Sequence, residues 1–154
     1  MMLHAAIYRA EAGSILVVEA GDVDYAVAGG NVCAVAQKRG VAALVVDGVI
    51  RDLAEARTNG FPVFARGVIP IPGGKDVLGV LNGPVRCGGV EVAAGDVMVA
   101  DEEGIVVVPV ARLDAVLERA RARATRDAAE TLESWEAAHR ARIEEILRAK
   151  GFQD

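Results

Sequence analysis

The sequence predicts an α/β domain with a mixed sheet and a long helical C-terminal tail. Three observations carry this. Apolar runs and helical stripes alternate as β-α-β-α-β through Arg66. Short strands punctuated by glycine turns then fill residues 85–108. From Pro109 onward, Leu113, Leu117, Ala120, Ala124, Ala128, Leu132, Trp135, Ile143 and Ile146 keep one helical stripe. The chain thus divides into an α/β domain over 1–110 and a helical tail over 111–154. A stripe of about ten turns outruns a small domain. The tail should therefore kink, break near Ser134, or pack on the same or a neighbouring subunit.

Residues 2–10 read as the end of a helix closed by Ala12-Gly13, and Ser14 to Glu19 as a strand. A loop over 20–30 holds Gly21, Asp22, Asp24, Gly29 and Gly30. Asn31 then opens a helix through Arg39, with Gly40 as its stop. Ala42 to Val46 is a continuous, β-branched apolar run, the pattern of a buried parallel strand. It is expected to end at Asp47-Gly48. Asp52 is placed to cap a short helix to Thr58, and Asn59-Gly60 ends that helix. Phe61 to Arg66 is the next strand, followed by the turn-rich Ile69 to Gly74. Strands are expected at 85–87, 90–92, 96–100 and 105–108. The strand at 14–19 should lie on an edge of the sheet that something covers.

Composition excludes several functions. The net charge is −5, with 8 Lys/Arg against 13 Asp/Glu in residues 1–110 and 9 of each in 111–154. No basic patch emerges, so no nucleic-acid partner is expected. No apolar stretch approaches the length of a membrane span, and no signal peptide is visible, so a cytoplasmic protein without a membrane partner is expected. Cys33 and Cys87 lack metal-ligand spacing and are read as reduced packing residues. Glu19-Ala20-Gly21-Asp22 lacks the second and third glycines of a Rossmann-type nucleotide turn. The acidic run Asp101 to Glu103, His4, His139 and the pair Lys75-Asp76 read as surface or packing residues.

One place gathers chemistry. In open α/β sheets, ligands bind beyond the carboxyl ends of the strands. Arg51-Asp52 follows the apolar run at such an end, offering a guanidinium to an anion and a carboxylate to a cation. Gly29, Gly30, Asn31 and Val32 form a second element. Free N–H groups at a helix start bind anions, and glycines permit close approach.

The run GGNVCAVAQKRGVAALVVDGVIRD over 29–52 resembles the signature of the RraA-like family, which includes the regulators of ribonuclease E activity and the class II 4-hydroxy-4-methyl-2-oxoglutarate aldolases. FPVFARG, GPVRCGGVEVAAGDVMVADEEGIVVVP and AGSILVVEAG extend the likeness over residues 3–110. The resemblance implies a swivelling β/β/α-type domain, here without the family's usual N-terminal segment, assembled as a homotrimer or a hexamer of two trimers. It implies a lyase with Mg²⁺ or Mn²⁺ as cofactor. Its substrates would be 4-hydroxy-2-oxo diacids cleaved to pyruvate, or oxaloacetate for decarboxylation. It makes Asp52 the metal ligand, Arg51 the catalytic group at the developing oxyanion, and Gly29, Gly30, Asn31 and Val32, with Arg51, the binding site of the small 2-oxo acid. The aldolases carry Asp or Glu where this chain has Gly30. That acid organises the cation's water and assists proton transfer, which a glycine cannot do. The alternatives are a non-catalytic, protein-binding trimer of the ribonuclease E regulator type and a degenerate paralogue that binds 2-oxo acids without turnover.

Overall fold

The computed structural model describes residues 1–152. The chain forms two compact units, Met1–Val110 and Ala111–Asp154. The first unit runs α1 (Met2–Arg9), β1 (Ile15–Glu19), α2 (Gly30–Lys38), β2 (Ala43–Ile50), α3 (Leu53–Thr58), β3 (Val63–Val68), β4 (Val85–Cys87), β5 (Val90–Val92), β6 (Val97–Ala100) and β7 (Ile105–Val108). The second contains α4 (Leu113–Ala129) and α5 (Leu132–Ala149).

β2 is the centre of the first unit. It pairs in parallel with β1 on one side and β3 on the other. All of its residues except Asp47 are buried, as expected of a strand covered on both faces. Alternate residues Leu44, Val46 and Ile50 enter one core with Leu3 and Ile7 of α1, Cys33 and Ala36 of α2, and Phe61. Each Leu, Ile, Val or Phe among them contributes about 1.5–3 kcal/mol by leaving water.

β2 does not stop at Asp47-Gly48, as the sequence reading has it, but continues to Ile50. The register with β3 shifts between Val46 and Val49, and this irregularity carries the strand through the polar pair. Gly48 is required by space, because a Cβ there would overlap that of Ala20. Other boundaries also move. α2 begins at Gly30 with Gly29 as its N-cap, so Asn31 is its second residue and not its cap. β3 starts at Val63 instead of Phe61, which is buried in the core. Pro62 still contributes its carbonyl, which accepts from Leu44 N at 3.0 Å.

The architecture is mixed α/β, with parallel and antiparallel pairing in separate sheets. β4-β5 and β6-β7 are antiparallel two-stranded hairpins, and β1-β2-β3 is wholly parallel. β4 packs on β1 and β2, and polar tethers hold it there. Glu19 accepts from Arg86 N at 2.7 Å, and Asp47 accepts from Gly88 N at 3.1 Å while pairing with Arg66. β1 and β3 are the edges of the parallel sheet.

In the second unit the tail stripe breaks at Glu130, whose backbone is extended. Thr131 caps α5 in a reciprocal box with Ser134, so the break falls just before the expected position and Ser134 helps to make it. Trp135 stacks on His139 with ring centroids 4.6 Å apart. No side chain of α4 or α5 is buried. No helix among the described residues is long and apolar enough to cross a membrane. Cys33 and Cys87 are unbonded.

The tether at Asp47 predicts an acid sensitivity. The Arg66 guanidinium, and then the Gly88 N–H, hold the Asp47 carboxyl below the usual range against the opposing effect of burial. A carboxyl depressed in the folded state stabilises the fold above its unfolded value of about 3.9. That contribution is lost as pH falls through the lower folded value. Thermal melts should therefore show Asp47→Asn less stable than wild type by a constant margin above about pH 5, with the margin shrinking below about pH 4. A margin independent of pH would mean that the carboxylate's charge contributes nothing.

Candidate functional site at the carboxyl end of β2

Beyond Val46 the chain builds a local platform from three extended segments. Ala26 is bridged in parallel to Val49 on one side and to Pro72 on the other. Val27 N donates to Val49 O at 2.9 Å, and Arg51 N donates to Ala28 O at 2.9 Å. On the opposite side Ala26 N donates to Ile71 O at 2.8 Å, and Gly73 N donates to Ala26 O at 3.0 Å. The 20–30 loop is thus fixed between the end of β2 and the 69–74 connection. The Gly29-Gly30 turn is delivered beside Arg51-Asp52.

Asp52 has φ 57° and ψ 43°, a left-handed conformation uncommon for residues other than glycine. Instead of capping α3 with its side chain, it turns the carboxylate back to accept from Gly30 N at 3.0 Å. Arg51 Nη1 lies 3.3 Å from the same carboxylate. Arg51 remains 43% and Asp52 28% exposed at their side chains, so both can meet a ligand. Gly29 has no room for a side chain: a Cβ would lie 2.5 Å from Asp52 Oδ2 and 3.0 Å from Arg51 Nε.

Gly30 is glycine for a related reason that the sequence reading missed. A Cβ at Gly30 would overlap the carboxylate of Glu55, which occupies the space a residue-30 side chain would take. The Asp52 and Glu55 carboxylates therefore both border the same turn, within about 7 Å of each other by backbone geometry.

The structure brings Gly29, Gly30, Arg51 and Asp52 together. Asn31 is exposed in the first turn of α2, and Val32 is half-buried against the core. First-turn N–H groups have no partner within the helix. Gly30 N is taken by Asp52, and among the described residues the N–H groups of Asn31 and Val32 have no backbone partner outside the helix. Cys33, fully buried one turn in, is an inert thiol: burial, then the Asp52 charge, pushes its pKa up. A cleft of about 1350 Å³ adjoins the site and is lined by Gly29, Val32 and Arg51, but not by Gly30, Asn31 or Asp52.

Comparison with known proteins places the chain in a family. Residues 1–107 match the RraA-like family described as Aldolase/RraA. A provisional 4-hydroxy-4-methyl-2-oxoglutarate aldolase of Halalkalibacterium halodurans is 38% identical over 125 residues, covering 80% of this chain and 60% of that protein. The 4-hydroxy-4-methyl-2-oxoglutarate aldolase of Thermus thermophilus is 34% identical over 99 residues, covering 64% of this chain and 60% of that protein. Among solved structures, RraAS2 of Streptomyces coelicolor, titled an unusual member of the RNase ES inhibitor RraA protein family, superimposes with a TM-score of 0.72 at 31% identity, covering 91% of this chain and 68% of that one. The chain spans about 60% of the length of these two curated relatives. With the match covering more than half of its residues, the chain belongs to the RraA-like family.

Proposed function

We propose that this chain is a divalent-metal-dependent lyase that releases pyruvate from 4-hydroxy-2-oxo diacids and decarboxylates oxaloacetate. The observation that carries this is Glu55, whose carboxylate fills the side-chain space of Gly30 beside Asp52 and Arg51. The acid absent from position 30 is thereby supplied from α3.

The donor set fits Mg²⁺ or Mn²⁺. Asp52 would hold the ion as a hard oxygen donor and Glu55 would order its water, since a cation that keeps several waters and takes substrate oxygens needs few protein ligands. Bound there, the cation would supply Lewis acidity to the substrate's 2-oxo group. The chain's own groups do the rest. The N–H groups of Asn31 and Val32 hold the substrate carboxylate at the start of α2. Glu55 takes the proton of the 4-hydroxyl, the C3–C4 bond breaks, and its electron pair moves into the pyruvyl fragment. Negative charge then grows on the former 2-oxo oxygen, where Arg51 stabilises it; removing one such donor typically costs about 10²- to 10³-fold in rate. A proton returned to C3 completes pyruvate. Decarboxylation of oxaloacetate uses the same charge-accepting end, with CO₂ leaving from C3.

The functional assembly in this reading is a homotrimer or a pair of trimers. Val77, Leu78 and Val80 of the first unit and Leu132 of the second are each more than 70% exposed within one chain, and assembly would cover apolar surface of this kind. The unbonded cysteines suit the reducing cytoplasm. A second reading, a protein-binding regulator, is favoured by the likeness to a structure titled as the RNA-processing inhibitor RraA of Thermus thermophilis, at 31% identity and a TM-score of 0.65.

A pyruvate-release assay on oxaloacetate and 4-hydroxy-4-methyl-2-oxoglutarate separates the two. Turnover should require Mg²⁺ or Mn²⁺ and vanish with EDTA. Asp52→Ala should abolish it, and Glu55→Gln should lower kcat by about 10²- to 10⁴-fold, the range for a positioned acid or base. Arg51→Lys should also lower kcat, because an ammonium lacks the guanidinium fork. Gly30→Asp should reduce turnover, since its side chain competes with Glu55 for one space. No pyruvate from either substrate would leave the regulator reading. Unchanged kcat in Glu55→Gln would remove Glu55 from the mechanism. A further measurement concerns assembly: light scattering should report a trimer or hexamer, and a 16.1 kDa particle at micromolar concentration would contradict the assembly.

A further inference from the structure

The platform that presents Arg51 has a second cation on its other side. Ala26 is bridged to Val49 and to Pro72, both in parallel, so the three segments run in one direction. Beyond these bridges one outer segment leads to Arg51-Asp52 and the other to Gly74-Lys75. Gly29, Arg51, Gly74 and Lys75 all line the same cleft. Gly73 holds the Lys75 loop in place: its N–H donates to Ala26 O, and a Cβ on it would come within 3.2 Å of that oxygen. His4 of α1 lines the same cleft as Lys75. Among the described residues, Lys75 is in none of the four ion pairs, whereas Arg51 is engaged by Asp52.

We propose that Lys75 is a specificity-determining residue that takes the distal carboxylate of a dianionic 2-oxo acid, across the cleft from Arg51. This rests on the 2-oxo-acid reading of the site and deepens it. The pyruvyl end lies at the start of α2 against Arg51, and the far end of the substrate extends toward the 69–74 connection. A monoanion of the same length leaves Lys75 without a partner. The lysine thus selects diacids over monoacids without touching the bond that breaks.

Calorimetric binding tests this without requiring turnover. The probes are 2-oxoglutarate and 2-oxopentanoate, which share a five-carbon chain and differ at the distal carboxylate, each with Mg²⁺ and the whole chain. A hydrogen bond to a charged group gives a wild-type preference for 2-oxoglutarate of about 10- to 100-fold. Lys75→Met should erase the preference by weakening the diacid alone, and Lys75→Arg should retain most of it. Circular dichroism on the variants checks the fold. Equal binding of the two acids by wild type, or a preference that survives Lys75→Met, would overturn the assignment of Lys75 while leaving a 2-oxo-acid site. Binding of neither acid would overturn the reading on which it rests.

Discussion

The close approach of Asp52 to the Gly29-Gly30 turn is the constraint on which the site depends. An aspartate held at φ 57° folds its carboxylate back onto the N–H of Gly30, which requires Gly29 to lack a side chain, while the missing Cβ of Gly30 leaves the space that Glu55 fills. A left-handed non-glycine residue costs energy of order 1–3 kcal/mol, and the surrounding structure must impose it. Here β2 enters from one side and α3 leaves on the other, leaving Arg51 and Asp52 as the whole connection. The same connection sets where Arg51 and Glu55 stand, since one precedes Asp52 and the other lies one helical turn beyond it. Three charged side chains are thus positioned by a single turn and two missing Cβ atoms.

Rigidity behind that turn comes from burial. β2 is covered on both faces, so the strand end is fixed by packing and not by the site itself. The parallel bridges of Ala26 tie the glycine turn to the strand end with main-chain hydrogen bonds, which do not depend on side-chain choice. On the far side Asp47 and Glu19, partners in register on β2 and β1, hold the β4-β5 hairpin. The charged residues of β2 and its exit therefore divide by role. Asp47 is engaged in a structural tether, whereas Arg51 and Asp52 stay partly exposed to solvent.

Much of this was legible in the sequence. The β-branched run Ala42 to Val46 announces a buried parallel strand, because strand periodicity is local, and the charged pair at its exit marks the place where the Gly29-Gly30 turn is found. The limit of β2 was not legible. Asp47-Gly48 reads as a turn by composition, and only the tertiary partners Arg66, Gly88 and Ala20 explain why the strand passes through. Glu55 was also hidden. In the sequence it is one acid on a short exposed helix. Its relation to Gly30, 25 residues away, exists only once α2 and α3 are packed together. The glycine that looked like a lost acid is the space another acid fills.

In the proposed reading Asp52 and Glu55 act on one divalent cation. Manganese binding followed by water-proton relaxation tests it most directly, because it reads the ion's site and not turnover. The account predicts one Mn²⁺ per chain, with affinity lowered about 10- to 100-fold in Glu55→Gln and at least as much in Asp52→Asn. Mn²⁺ binding lost in Asp52→Asn but unchanged in Glu55→Gln would contradict it, leaving Glu55 as a neighbour of the site and not a member.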